Sequence, residues 1–177
     1  MSAGASTTTV TWGGYSIITG VLTDVTTDPA QAAAGEYVGI VYPRELTYYH
    51  FYFPGHGAAL AAIVSPRLMI HVRPALSVPS APSSARANAW FTVAGTLKPR
   101  FPGGDRTVTI KIGRYNGHSW VLYKNLKAEN ANSGLYTRYS LQLKIGSRGK
   151  YRFSASTAAT TLYSAGSTTT SSPITIK

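Results

Sequence analysis

The 177-residue chain has no cysteine, so neither a disulfide framework nor thiolate chemistry is open to it in any compartment. Acidic residues are almost as scarce. Six Asp and Glu, scattered from Asp24 to Glu129, offer no evident carboxylate pair for acid–base hydrolysis and no Asp-rich calcium loop. No G-x-S-x-G elbow sets any of the many serines up as a nucleophile. These absences argue against an enzyme and against a bound cofactor. No apolar run approaches the ~20 residues of a membrane-spanning helix. The start, MSAGASTTTVTWGG, lacks the basic end and apolar middle of a signal peptide, which implies a mature segment after export or an excised piece. Amphipathic helical periodicity is missing too: AQAAAGE (residues 30–36) makes one turn at most, and AALAAIV (58–64) is short enough to be a loop crossing.

What remains is an apolar content of 44%, ample for a packed core, written in short alternating runs of Thr, Val, Ile, Tyr and Phe bounded by Gly, Pro, Asn and Ser. That pattern predicts strands throughout. The formal charge of +11 is unevenly shared: residues 1–75 carry 3 − 4 = −1 and residues 76–177 carry 14 − 2 = +12. Any polyanion contact is therefore expected in the second half.

The halves repeat. YSIITGVL (15–22) matches WFTVAGTL (90–97) at an offset of 75, which sets Gly20 over Gly95 and puts Phe91, Val93, Gly95 and Leu97 on one strand face, with Ser16, Ile18, Gly20 and Leu22 as their counterparts. YYHFYF (48–53) matches KYRFSA (150–155) at an offset of 102, so 102 − 75 = 27 residues are missing from the first copy. The second copy fills that interval with RTVTIKIGRY, a turn at Asn116-Gly117, HSWVLYKNLKAE and LYTRYSLQLKI, a hairpin and a third strand, where the first has only EYVGIVY. Between the copies, VRPALSVPSAPSSARA is rich in Pro and Ser, as suits a short extended connection.

GGYSIITGVLTD and TYYHFYFPGHGAALAAIVSP, then RPAL, SVPSAPSSARANAWFTVAGTLKPRFPGG and the YKNLKAEN, YTRYSLQLKI and GKYRFSAS succession, together resemble tandem immunoglobulin-like repeats of secreted and surface proteins of actinobacteria. The resemblance covers nearly the whole chain and is better in residues 76–177. It implies an all-β chain of two tandem immunoglobulin-like β-sandwich domains, 1–74 and 75–177, the first abbreviated by loss of its middle strands. It also implies an extracellular or cell-surface setting and a non-enzymatic structural or adhesive role. Tyr49 and Tyr151 resemble the structural tyrosine corner of such sandwiches.

Two candidate surfaces follow in the second domain. Alternation turns Val108, Ile110, Ile112, Tyr151 and Phe153 inward and Lys111, Lys150 and Arg152 outward, on strands that adjoin in an immunoglobulin-like sheet, with Arg114 and Arg148 near the ends of that face. This is a polyanion or partner face, suited to a cell-wall polyanion or glycan, and equally to a solvated face that keeps the chain monomeric. Tyr115, Trp120 and Tyr123 cluster around Asn116-Gly117 as an aromatic surface for sugars, or as ordinary sheet cover. Nothing resembles an RNP motif or a Cys-His finger, so nucleic acid is not the expected partner. The same fold would bring His50 and His71 onto neighbouring strands, but no third metal ligand is identifiable and two solvated histidines are the simpler reading.

The abbreviated first domain poses its own problem. With its middle strands gone, Ile18, Leu22, Val38, Ile40, Phe51 and Phe53 would face a half-covered core, with unpaired backbone at the flanking edges. Either the second domain folds back to cover them, or another copy adds a strand, with Thr7, Thr8, Thr9, Val10, Thr11 and Trp12 as candidate donor; repeated head to tail, that would build a homo-oligomer or filament.

Overall fold

A computed structural model describes residues 1–23, 34–55, 62–101 and 106–177. Among these every regular element is a strand, and no helix is long and apolar enough to cross a membrane. His56 and residues 30–33 and 58–61 lie outside the described residues. Two compact units emerge, Met1–Arg73 with Thr161–Tyr163, and Pro74–Thr160 with Ser164–Lys177.

The first unit contains β1 (Ser2–Ala5), β2 (Thr9–Thr11), β3 (Ser16–Thr23), β4 (Ala34–Val41), β5 (Thr47–Tyr49), β6 (Tyr52–Phe53), β7 (Ile63–Val64) and β8 (Leu68–Arg73). One sheet runs β1-β3-β4, a second runs β2-β8-β5, and β6 pairs with β7. Its core is small: Val10, Ile18, Ile70 and Val72, with Trp12, Val41, Tyr49, Phe51 and Tyr163 among the side chains packed around them.

The second unit contains β9 (Ala75–Leu76), β10 (Ser84–Ala85), β11 (Trp90–Lys98), β12 (Val108–Tyr115), β13 (Trp120–Lys127), β14 (Glu129–Ser133), β15 (Tyr136–Lys144), β16 (Gly149–Thr157), β17 (Gly166–Ser167) and β18 (Ile174–Ile176). Its sheets run β14-β15-β11-β9 and β10-β18-β16-β12-β13. Their inner faces meet, with the rings of Phe91 on β11 and Phe153 on β16 6.3 Å apart. The alternation expected from the sequence holds: Phe91, Val93, Leu97, Val108, Ile110, Ile112, Tyr151 and Phe153 are all buried.

A common frame underlies both units. In each, the first strand is split, its opening part antiparallel to the next long strand (β1 on β3, β9 on β11) and its continuation parallel to the last strand (β2 on β8, β10 on β18). A serine marks the switch. Ser6 N–H donates to the Ile17 carbonyl at 2.8 Å while the Ile17 N–H donates to Ser6 Oγ at 3.0 Å, and Ser77 makes the same exchange with Thr96 at 2.9 and 2.8 Å. The hydroxyl replaces a carbonyl the departing strand no longer supplies, so no buried N–H is orphaned. A second serine repeats the device before the last strand: Phe51 N–H donates to Ser65 Oγ at 2.9 Å, and Phe153 N–H to Ser171 Oγ at 3.0 Å, with each serine N–H returned to the phenylalanine carbonyl. Thr47 to Tyr49 pair with Ile70 to Leu68 just as Gly149 to Tyr151 pair with Ile176 to Ile174.

The register also locates the missing residues. Gly20 sits opposite Tyr37 and Gly95 opposite Tyr139, so β4 corresponds to β15 at an offset of 102. Residues 24–33 separate β3 from β4 and residues 99–135 separate β11 from β15, a difference of 37 − 10 = 27. The first unit therefore lacks counterparts of the β12–β13 hairpin and of β14, while the LYTRYSLQLKI strand keeps one.

One expectation about the first unit is corrected. Val38 and Ile40 do not face the core: the register pairs Ile18 with Gly39 and Ile17 with Ile40, which turns Tyr37, Gly39 and Val41 inward and Val38 and Ile40 out, 68% and 58% exposed. Ile18 is buried and Phe51 is half-buried, its ring laid so close over Gly20 that a Cβ there would stand 2.7 Å from it. The segment Thr7 to Trp12 is engaged at home: Thr9, Val10 and Thr11 pair with His71, Val72 and Arg73, His71 N–H donates to the Thr8 carbonyl, and Val10 is 6% exposed. β2 lies at one edge of its sheet, with β8 on its paired side.

Candidate functional site

The outer face of the β13-β12-β16 sheet brings the two expected surfaces together. Asn116 Oδ1 accepts the backbone N–H of His118 and Ser119 at 3.0 and 2.8 Å, closing the β12–β13 turn with Gly117 at φ 102°. That turn sets Tyr115 opposite Trp120, their rings 5.4 Å apart. On the other side β12 pairs with β16, so Gly113 lies between Leu122 and Arg152, and Lys111 between Asn125 and Ser154. Gly113 leaves a dip in this face. A Cβ there would touch the Arg152 stem at 3.4 Å and the Trp120 ring at 3.8 Å, and over the dip the Arg152 guanidinium lies 4.6 Å from the Trp120 ring centroid. Such a stack fixes the guanidinium while leaving its N–H donors outward.

Four cations cross this face diagonally. Lys150 and Arg152 alternate outward on β16, Lys111 follows one diagonal step away on β12, and Lys127, opposite Thr109, another step on β13. Diagonal cross-strand neighbours stand about 7 Å apart at their Cβ atoms, so Lys111 has Arg152 and Lys127 as its neighbours on either side. Among the described residues no carboxylate pairs with any of the four, and Glu129, the acidic residue of this unit that is described, is on the other sheet. Lys127 is the member that sequence reasoning missed; its signal was the alternation of β13 continued past Asn125, obscured by a register shift between Ile112 and Gly113.

Two expected residues leave the face. The register shift puts Tyr123 on the inner side, edge-on to Tyr151 at 5.4 Å. Arg114, one position on from Gly113, also turns inward; its guanidinium stands 5.9 Å from the Tyr151 ring and donates to the Arg148 carbonyl at 3.4 Å. Arg114 and Tyr123 thus gather around Tyr151, away from Lys111 and Arg152, while the Arg148 carbonyl accepts from Arg114 just before β16. Tyr151 Oη donates to the Ser147 carbonyl at 2.9 Å, the corner contact expected of it, and burial raises its pKa above the usual phenol value, opposed by the Arg114 charge.

The cavity over Gly113 has a volume of about 180 Å³ and is lined by Lys111, Trp120, Leu122, Arg152 and Thr170, among others. Pockets that enclose a small molecule run from about 300 Å³ upward, so this face can hold one group of a ligand lying across it, not engulf a substrate.

No family model and no curated protein matches the chain. Among solved structures it is similar to a superoxide reductase (neelaredoxin) from Ignicoccus hospitalis, at 16% identity and a TM-score of 0.31 over 59% of this chain and 80% of that one. A likeness of that extent assigns neither fold nor activity. Among the described residues no group of three or more His, Asp or Glu is placed to hold a metal ion. His50 and His71 do not meet: β5 pairs with β8 so that Tyr49 faces Leu68, which leaves the two histidines four residues apart along the ladder, roughly 13 Å.

Proposed function

We propose that the chain is a pair of tandem immunoglobulin-like domains, the first abbreviated, acting outside the cell as a non-enzymatic structural or adhesive module whose second domain binds a linear polyanion of the cell wall or matrix. The strand orders β14-β15-β11-β9 and β10-β18-β16-β12-β13, with the split first strand and the Tyr151 corner, favour this fold. The observation that carries the function is the diagonal of Lys150, Arg152, Lys111 and Lys127, with no carboxylate paired to it among the described residues and with Arg152 stacked on Trp120. A row of neighbouring cations suits a chain bearing phosphate, sulfate or carboxylate on successive units, and Trp120 with Tyr115 offers its apolar faces a stacking surface.

The test is retention of the full chain on heparin and on teichoic acid. Lys111→Glu with Arg152→Glu is expected to abolish salt-sensitive retention. Arg138→Glu with Lys144→Glu makes the same charge change on the outer face of the other sheet and is expected to leave most of it. Equal losses in both variants would reduce the effect to net charge and contradict a specific face.

A further inference from the structure

In the second unit both edges of β15 are occupied, one by β11 and the other by β14, whose five residues run antiparallel from Glu129 opposite Ser140 to Ser133 opposite Tyr136. β4 is the counterpart of β15, and among the described residues only β3 pairs with it. Along these eight residues the N–H and C=O groups that point away from β3 therefore have no ladder partner among the described residues.

The usual protections of such an edge are absent. AGEYVGIV contains no Lys, Arg or Pro, and its single charge, Glu36, is near one end. Its outward side chains are apolar where their counterparts are polar: Val38, Ile40 and Tyr42 stand where β15 and its end carry Ser140, Gln142 and Lys144. Beside them Tyr15 meets Tyr42 at 6.0 Å between ring centroids, and Ile17 faces Ile40 across the ladder. The patch is thus an apolar sheet face continuous with an open sheet edge, on a unit whose charge is −1.

We propose that β4 pairs antiparallel with β4 of a second copy of this chain, joining two β1-β3-β4 sheets into one of six strands. Three features select a second copy as the occupant. The position is one that an antiparallel strand fills in the other unit. The edge is eight residues long and carries one charge, which gives a charged foreign segment little complement, whereas an identical strand matches its length and polarity. A two-fold axis at Gly39 sets Val38 of each chain against Ile40 of the other and holds the two Glu36 carboxylates at opposite ends of the new ladder. The pairing needs no exchange of β2 and does not depend on the ligand of the second unit.

Sedimentation of the full chain tests this from about 1 μM to about 300 μM, a span suited to an edge contact of modest area. The expected result is a mass that rises with concentration to twice the monomer. Ile40→Lys, and independently Val38→Lys, should hold the chain at the monomer mass throughout, with the circular dichroism of the wild type because both side chains are exposed. Gln142→Lys, the same change at the equivalent position of β15, should leave the dimer intact. A wild-type chain that stays monomeric across the range overturns the proposal and leaves the edge to a foreign strand. Dimers that survive both lysines overturn it as well, and locate the contact elsewhere.

Discussion

The two units share a frame and differ in how completely it is filled. In the second, β12, β13 and β14 extend the two sheets on a side where the described residues of the first have no counterpart strands, and the consequences run through the packing. Tyr139 is fully buried, its hydroxyl donating to the Ser77 carbonyl at 2.7 Å, whereas Tyr37 at the same place is 38% exposed. The second unit buries Phe91, Phe153, Ile110, Ile112 and many others, while among the described residues the buried core of the first is Val10, Ile18, Ile70 and Val72. Outer faces differ in the opposite sense: polar and strongly basic where the sandwich is complete, apolar and nearly neutral where it is not. A frame that can close on itself is free to use its surface for charge, and one that cannot leaves an edge and an apolar face for another strand to cover.

The sharpest way to probe the difference is to fill the glycine that both units place under an aromatic ring. A Cβ on Gly95 would stand 2.2 Å from Tyr139 Oη and 2.7 Å from Ser77 Oγ, and on Gly20 it would stand 2.7 Å from the Phe51 ring. Tyr139 is locked by burial and its hydrogen bond, so Gly95→Ala is expected to destabilise the second unit by about 3 kcal/mol. Phe51 is only half-buried and can swing toward the open side, so Gly20→Ala should cost about 1 kcal/mol. Denaturant unfolding followed by tryptophan fluorescence reads both, with Trp12 reporting on the first unit and Trp90 and Trp120 on the second. Equal costs would mean that the first unit is as tightly closed as the second.

A smaller effect separates the units by pH. Burial pushes the Tyr139 phenol up to about 12, with the Ser77 side-chain hydroxyl pulling the other way. The folded state thus holds the proton more tightly than the unfolded chain, whose phenol titrates near 10. Stability from this group is complete below pH 10 and is lost as pH rises from 10 through 12. The second unit is expected to weaken over that window. Tyr139→Phe should be less stable near neutrality, through loss of the hydrogen bond, and should show less of the alkaline decline. An undiminished decline in the variant would assign it to other groups.

Much of this frame was legible in the sequence, because the strands of the second unit alternate cleanly between apolar and polar and the two offsets measure the missing interval. What was not legible has local causes. EYVGIVY carries apolar residues in both phases, with Gly39 between them, so period two alone does not decide which of Val38 and Tyr37 points in; only pairing with β3 does. A register shift beside Gly113 moved Tyr123 off the aromatic surface and hid Lys127 from the cationic one. Arg114 was grouped with Lys111 by nearness in sequence, although adjacent strand residues face opposite ways. The parallel pairing of β2 with β8 joins residues about sixty positions apart and leaves no mark in composition, which is why Thr7 to Trp12 read as a free segment. The stack of Trp120 on Arg152 spans two strands in the same manner.

The contrast between a closed and an open frame is tested most directly by amide hydrogen exchange on β4 and β15 in the same sample. In dilute solution the account predicts that β15 amides are protected along the whole strand, while on β4 protection alternates, slow where the N–H points to β3 and fast where it points away. At high concentration the fast β4 amides should slow and those of β15 should not change. Uniform protection of β4 already in dilute solution would contradict the open edge and with it the central claim.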